Sequence, residues 1–168
     1  PYTSSYLLNR GPEEVVEVLS RAAGRGVKIL LFPRSNREVE LVKGMLGGEV
    51  TVIGRAVDTL SLYYFSSLVI SGGGTMCREA ALLGTPSISF YPGEPPAVNR
   101  LLEREGLLFH AKSPVEVWEL ASWLLSLTRE ELEDRRRRAG EYASRCEDPS
   151  LIVVKEVVRC AEGEETTR

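Results

Sequence analysis

The chain has 168 residues, of which 43% are hydrophobic and 27% charged, and its formal net charge is −3. This composition is typical of one globular domain with a sizeable core and excludes a disordered chain. No apolar run approaches the roughly 18–20 residues that a transmembrane helix needs, and the slightly negative charge gives no support for nucleic-acid binding.

Strand and helix patterns alternate along the chain and are separated by glycine, proline and capping residues. A first helix is predicted over residues 12–23, then a strand over 27–32, a helix over 36–46, a strand over 50–53 and a helix over 58–66. The second half continues with a strand over 68–70, a helix over 75–83, a strand over 87–91, a helix over 97–105, a strand over 107–111, and helices over 113–125, 128–146 and 149–160. This alternation predicts an α/β fold: a Rossmann-like, doubly wound parallel sheet in one domain spanning residues 1–168.

The first strand of a doubly wound sheet normally lies at its centre, and residues 1–11 contain no convincing strand. Two alternatives follow. Either residues 3–8 fill the central place, or the true first strand lies upstream of Pro1. In the second case a missing segment or self-association with another copy completes the sheet. Because the chain begins at Pro1 without an initiator methionine, we expect a fragment of a longer protein.

Three cysteines bear on the compartment and on metal binding. Cys77, Cys146 and Cys160 are an odd number at unrelated spacings. This pattern favours reduced thiols in a cytoplasmic protein over a disulfide framework or a zinc site. No signal peptide and no metal-ligand spacing occurs, so we expect no metal and no cofactor.

The most informative segment joins the strand over 68–70 to the next helix. Ser71 and three glycines (Gly72, Gly73 and Gly74) precede Thr75, where the helix begins. Glycines allow close backbone approach, and the N–H groups and dipole of a helix N-terminus favour an anion such as phosphate. One turn later, Glu79 places an acceptor suited to ribose hydroxyls. The alternative is a tight turn that Thr75 merely caps.

Other candidate ligand contacts also follow strand ends and therefore share one rim of the sheet. Arg34 and Arg55 are either phosphate contacts or solvated turn residues, and Tyr91 follows the strand over 87–91. Arg78 precedes Glu79 and faces elsewhere on the helix, so it is interpreted as a surface or ion-pair residue, with contact to the ligand as the alternative. His110, the single histidine, is interpreted as a partly buried strand-end residue, with contact to the sugar or base as the alternative.

The basic block Arg135-Arg136-Arg137-Arg138 covers one helical turn among acidic neighbours. Ion pairs on a solvated face explain it most simply. A weak contact with anionic membrane lipids or a lipid-linked acceptor is the alternative.

Four motifs carry a resemblance to a known family that covers essentially the whole chain. They are a GGTM-x-REAALLG-x-P stretch at residues 73–86, an S-x-YPG strand end at 89–93, the pair Pro33-Arg34, and a D-x-L-x-L-Y-Y helix at 58–64. The chain resembles the carboxyl-terminal half of the GT-B superfamily of glycosyltransferases. Within it, the chain is similar to a prokaryotic, glycosyltransferase-like family known mainly as a domain of unknown function.

The resemblance implies a two-domain transferase in which a UDP-like nucleotide sugar binds between this half and a missing amino-terminal Rossmann half. Gly72 to Thr75 would hold the diphosphate, Glu79 the ribose, and residues 53–57 would lie by the base. The catalytic residues are unknown, the acceptor-side base would lie in the other half, and this half alone is expected to be inactive.

Two other functions remain open. One is a non-catalytic module that binds a nucleotide or sugar phosphate. The other is a non-hydrolysing UDP-sugar 2-epimerase, a related family that carries Thr-Glu-Arg where this chain has Pro-Gly-Glu-Pro-Pro at residues 92–96. That difference removes acid–base groups that epimerisation needs, so the sequence favours glycosyl transfer.

Overall fold

The computed structural model describes residues 12–162 except positions 24, 34 and 73. Its five strands are β1 (Ile29–Leu31), β2 (Val50–Val52), β3 (Val69–Ser71), β4 (Ser87–Phe90) and β5 (Phe109–Ala111). Its eight α-helices are α1 (Pro12–Ala22), α2 (Asn36–Leu46), α3 (Thr59–Phe65), α4 (Thr75–Leu82), α5 (Ala97–Arg104), α6 (Pro114–Leu124), α7 (Arg129–Ser144) and α8 (Pro149–Ala161). The predicted order of strands and helices is confirmed. Within the described residues no strand exceeds four residues, and each ends where its pairing with a neighbouring strand ends.

All the strand pairs described are parallel, as predicted. β1 pairs with β2, and β4 lies between β3 and β5 in a separate sheet. Residues 3–8, one of the two candidates for the central strand, lie outside the described residues.

Helix α1 connects the cores of the two sheets. Val16 belongs to the apolar cluster of β1 and β2, whereas Val18 belongs to the cluster that contains Ile88 and Phe90 of β4. Residues two apart on a helix point to nearly opposite sides. Helix α1 is therefore wedged between the two cores.

Strand β4 is fully buried along its length, with helices on both faces. Ile88 and Phe90 pack with residues of α6, while Ser87 and Ser89 point to the opposite face. Ser87 is satisfied locally, because its hydroxyl donates to the Thr85 carbonyl oxygen at 2.7 Å. Ser89 faces α4 and α5 at the carboxyl end of the strand, close to the predicted ligand rim.

The basic block on α7 is not wholly a solvated face, which corrects the sequence interpretation. Arg135 is 3% exposed and donates to the carbonyl oxygens of Gly106 and Leu107, both at 2.8 Å. These carbonyls follow the end of α5, where intrahelical donors are lacking. Burial lowers the pKa of Arg135 to about 10, so the guanidinium stays charged at neutral pH. Arg137 and Arg138 do form surface ion pairs, both with Asp134.

Gly84 allows α4 to end directly against α7. Its φ is +75°, and a Cβ at this position would lie 2.6 Å from the Cα of Arg136. Both the backbone conformation and the contact with another backbone therefore require glycine.

We expect Gly84→Ala to lower the free energy of unfolding by at least about 2 kcal/mol, because it adds left-handed strain to overpacking against a helix backbone. Urea denaturation measures the change. Gly140→Ala is the matched control. Nothing lies within 4 Å of its added Cβ in α7, so alanine there should stabilise the chain by about 0.5–1 kcal/mol. Equal effects of the two substitutions would contradict this account.

Candidate functional site

The glycine turn carries the chain from β3 directly into α4. Gly74 is the N-cap of α4, and no side chain caps it. Thr75 is thus the first helical residue, which corrects the alternative that it serves as the cap. A Cβ on Gly72 would lie 3.6 Å from the Phe90 carbonyl oxygen, so this turn lies against the end of β4. Gly73 falls outside the described residues.

Arg78 is half-buried and folds back over this turn, which corrects its interpretation as a surface or ion-pair residue. Its Nε donates to the Gly74 carbonyl oxygen at 2.6 Å. A Cβ on Gly74 would lie 2.2 Å from Nη2, so the guanidinium fills the space that a side chain would need. The signal in the sequence was the four-residue spacing between Gly74 and Arg78, which brings them to the same side of a helical turn.

Glu79 lies half-buried on α4 and close to α3. Burial raises the pKa of Tyr63, and the negative charge of Glu79 raises it further. Tyr63 is fixed in turn, because the hydroxyl of Thr85 donates to its carbonyl oxygen at 2.9 Å. The predicted ribose acceptor therefore lies close enough to Tyr63 of α3 for its charge to act on that side chain.

The remaining candidates follow their strands as predicted, but not all of them come together. Tyr91 is half-buried, and its N–H donates to the Ala111 carbonyl oxygen at 3.0 Å. Tyr91 and Gly72 lie near each other, because both adjoin Phe90. Arg55 is exposed after β2, in the other sheet, and forms no ion pair with any residue described. Arg34 lies outside the described residues.

A hollow of about 310 Å³ lies where β1 and β2 end and α3 begins. Its lining is mostly apolar and comprises Phe32, Ile53, Val57, Asp58, Ser61, Leu62 and Phe65. Asp58 caps α3 by accepting from the Ser61 N–H at 3.2 Å. The resemblance implied that residues 53–57 lie by the base, and Ile53 and Val57 do line this hollow, but it gave no role to Phe65, which is 82% exposed.

A second hollow, of about 450 Å³, lies beside β5 and α6 and is lined by His110, Glu116, Glu119, Leu120 and Trp123. Neither hollow is lined by Gly72, Gly74 or Thr75. The glycine turn is therefore bounded by its own backbone and by the Arg78 side chain, and neither hollow encloses it.

Within residues 12–162, apart from the three undescribed positions, no three His, Cys, Asp or Glu side chains come together to hold a metal ion. In the same part of the chain, no helix has the length and apolarity to cross a bilayer.

Comparison with known proteins assigns the family. Residues 1–162 match the family described as protein of unknown function (DUF354). The chain belongs to this family. The uncharacterized protein MJ0665 of Methanocaldococcus jannaschii is 35% identical to it over 89 residues, which are 53% of this chain and 25% of that protein.

This DUF354 chain is also similar to a crystal structure of the glycotransferase of kitacinnamycin. The TM-score is 0.58 at 22% identity, over 81% of this chain and 37% of that chain. The likeness confirms the predicted Rossmann-like α/β fold. The DUF354 chain thus spans about a quarter of its curated relative and little more than a third of the solved structure.

Two glutamate carboxylates accept backbone hydrogen bonds at the N-termini of α6 and α7, and they make the free energy of unfolding depend on pH in the acid range. The Lys112 and Thr128 backbone N–H groups lower the pKa values of Glu116 and Glu131 below the ordinary value. A depressed folded-state pKa contributes stability above the unfolded value of about 4.3, and this stability is lost as pH falls through the folded value.

We therefore expect the free energy of unfolding to fall as the pH drops below about 4, and to fall less in the double variant Glu116→Gln/Glu131→Gln, which keeps amide acceptors at both caps. Urea titrations between pH 3 and pH 7 measure both slopes. Glu130→Gln, at an exposed carboxylate of α7, is the control. Equal acid slopes in the wild type and the double variant would refute the assignment.

Proposed function

We propose that this DUF354 chain is the nucleotide-sugar-binding half of a GT-B-type glycosyltransferase. The observation that carries the proposal is the turn from Gly72 to Thr75, which leads into the N-terminus of α4. No side chain caps this N-terminus, and the Arg78 guanidinium lies over it. The likeness in fold to a glycotransferase supports it.

The turn suits a diphosphate for electrostatic reasons. The first turn of α4 contains no acidic residue, so the positive end of the helix dipole is not neutralised there. Arg78 adds a full positive charge at the same end, an unfavourable placement unless an anion binds beside it. In glycosyl transfer negative charge grows on the departing diphosphate, and fixed N–H groups and a guanidinium stabilise that charge.

The chain also has surfaces suited to the nucleobase and to the ribose of the donor. The apolar hollow formed by Phe32, Ile53 and Phe65 suits the flat face of a nucleobase. Glu79 supplies an acceptor for ribose hydroxyls on the side of α4 near α3. In parallel α/β sheets, ligands collect beyond the carboxyl ends of the strands, where these groups lie.

The rest of the enzyme lies outside this chain in the proposal. Residues 1–168 form one domain, the carboxyl-terminal half, and an amino-terminal Rossmann half supplies the acceptor site and its base. The loop after β4 supports transfer over 2-epimerisation, because residues 92–96 read Pro-Gly-Glu-Pro-Pro where the epimerase family carries the acid–base sequence Thr-Glu-Arg. A non-catalytic nucleotide-binding module would share the donor site and is distinguished by turnover of the full-length protein.

Calorimetric titration of UDP, UDP-N-acetylglucosamine, GDP and dTDP against the chain tests the donor site. At least one ligand should bind below millimolar, and Glu79→Ala should weaken its binding by about 1.5–3 kcal/mol, the value of a hydrogen bond to a charged group. Glu130→Ala, which removes an equal charge from α7, should have no effect. The donor site is wrong if none of the four binds, and Glu79 has no role if its variant binds within twofold of wild type.

Arg78→Ala should weaken the binding of a nucleoside diphosphate by about 1.5–3 kcal/mol but leave the binding of the free nucleoside unchanged, because only the diphosphate contacts the guanidinium. The same titration with UDP and with uridine separates the two effects. Arg104→Ala, at an exposed arginine of α5, is the control. A proportional loss for uridine and UDP would instead indicate a general disturbance of α4.

A further inference from the structure

A row of polar side chains crosses the three-stranded sheet one residue before the glycine turn. Ser71 of β3 is in register with Ser89 of β4, which is in register with His110 of β5. Partner residues on parallel strands point to the same face, and adjacent strands lie about 4.8 Å apart. The row therefore extends from the proposed diphosphate cradle across two strand spacings.

Asn99 of α5 covers the middle of this row. It is 1% exposed, and its Nδ2 donates to the Ser89 hydroxyl at 3.3 Å. Its Oδ1 is buried and has no hydrogen-bond partner among the described residues. Because the two ends of an amide can be exchanged, one polar end stays unsatisfied in either orientation.

His110, on the next strand, also has buried polar atoms without a hydrogen-bond partner among the described residues. Both ring nitrogens are buried, and neither has a partner in the part of the chain that the structure describes. Its ring centroid lies 6.5 Å from that of Tyr91, on the ligand rim. Buried polar groups are almost always hydrogen-bonded, so two unsatisfied side chains beside one serine require an explanation.

We infer that Asn99 and His110 hydrogen-bond the hydroxyl groups of the sugar that the diphosphate carries, and so determine sugar specificity. A hydroxyl both donates and accepts, so it satisfies either end of the amide and either tautomer of the imidazole. Two strand spacings, about 10 Å, separate β3 from β5, so a hexose whose diphosphate is held at the Gly72 turn would extend toward both side chains. This inference rests on the proposed donor site and assigns its sugar end.

The test compares a nucleoside diphosphate with its hexose ester in wild type, His110→Phe and Asn99→Leu. UDP with UDP-N-acetylglucosamine, GDP with GDP-mannose and dTDP with dTDP-glucose are titrated calorimetrically. We expect each variant to bind the diphosphate within twofold of wild type and the preferred sugar ester at least tenfold more weakly.

Thermal unfolding supplies a second readout. His110→Phe keeps a ring of similar shape and removes two unsatisfied nitrogens, so its Tm should stay equal or rise, whereas a structural histidine would lower it. Glu119→Gln is the control for the hollow beside α6, which His110 also lines, and it should leave both affinities unchanged.

The remaining outcomes separate a failure of the sugar assignment from a failure of the donor site. If a diphosphate binds but the variants keep the wild-type preference for its sugar ester, or the wild type has none, the inference is wrong and the donor site stands. The inference also fails if Glu119→Gln alone weakens the ester, or if both variants lose more than about 4 °C of Tm. If no nucleotide binds wild type, the donor site fails and the sugar assignment fails with it.

Discussion

The wedge that α1 forms between the two sheets is the contact on which the rest of the structure depends. Val16 on one side and Val18 on the other bury their side chains in separate cores. No hydrogen bond between β1 and β3 joins the sheets in the described part of the chain. The candidate base hollow follows β1 and β2, and the glycine turn follows β3. Apolar packing through α1, together with the cluster of Tyr63, Val69 and Ala80 between α3 and α4, therefore holds together the two parts of the proposed site.

Burial of β4 sets a second constraint, which links stability to the site. A strand covered on both faces can carry polar side chains only where each finds a partner. Ser87 finds one in its own turn, and Ser89 contacts Asn99 and Cys77. The side chains that satisfy Ser89 lie nearest the carboxyl end of the strand, where ligand binds in such folds. Asn99 is thus only half satisfied by the fold, which leaves one polar end for another group.

The sequence predicted the elements well because local chemistry marks their boundaries. Ser113 with Glu116 and Thr128 with Glu131 cap α6 and α7 as expected from spacing alone. Strand pairing and register were beyond prediction, because strands of three or four residues carry too little pattern to fix a partner. Arg135 was misassigned for a related reason. The carbonyls it meets are 28 and 29 residues away, and no local pattern records such a contact.

Arg78 was misjudged although its partner is only four residues away, and the reason concerns electrostatics. Helical periodicity placed it on a different face from Glu79, but a glycine at the N-cap leaves room for a long side chain to fold back. At α7 the N-terminal arginine, Arg129, has Glu133 as an ion-pair partner and two glutamates in its first turn. At α4 the guanidinium contacts a carbonyl oxygen, and the first turn has no acidic residue. The positive guanidinium therefore lies at the positive end of the helix dipole, where the two repel each other. An anionic ligand bound there would replace this repulsion with attraction to both.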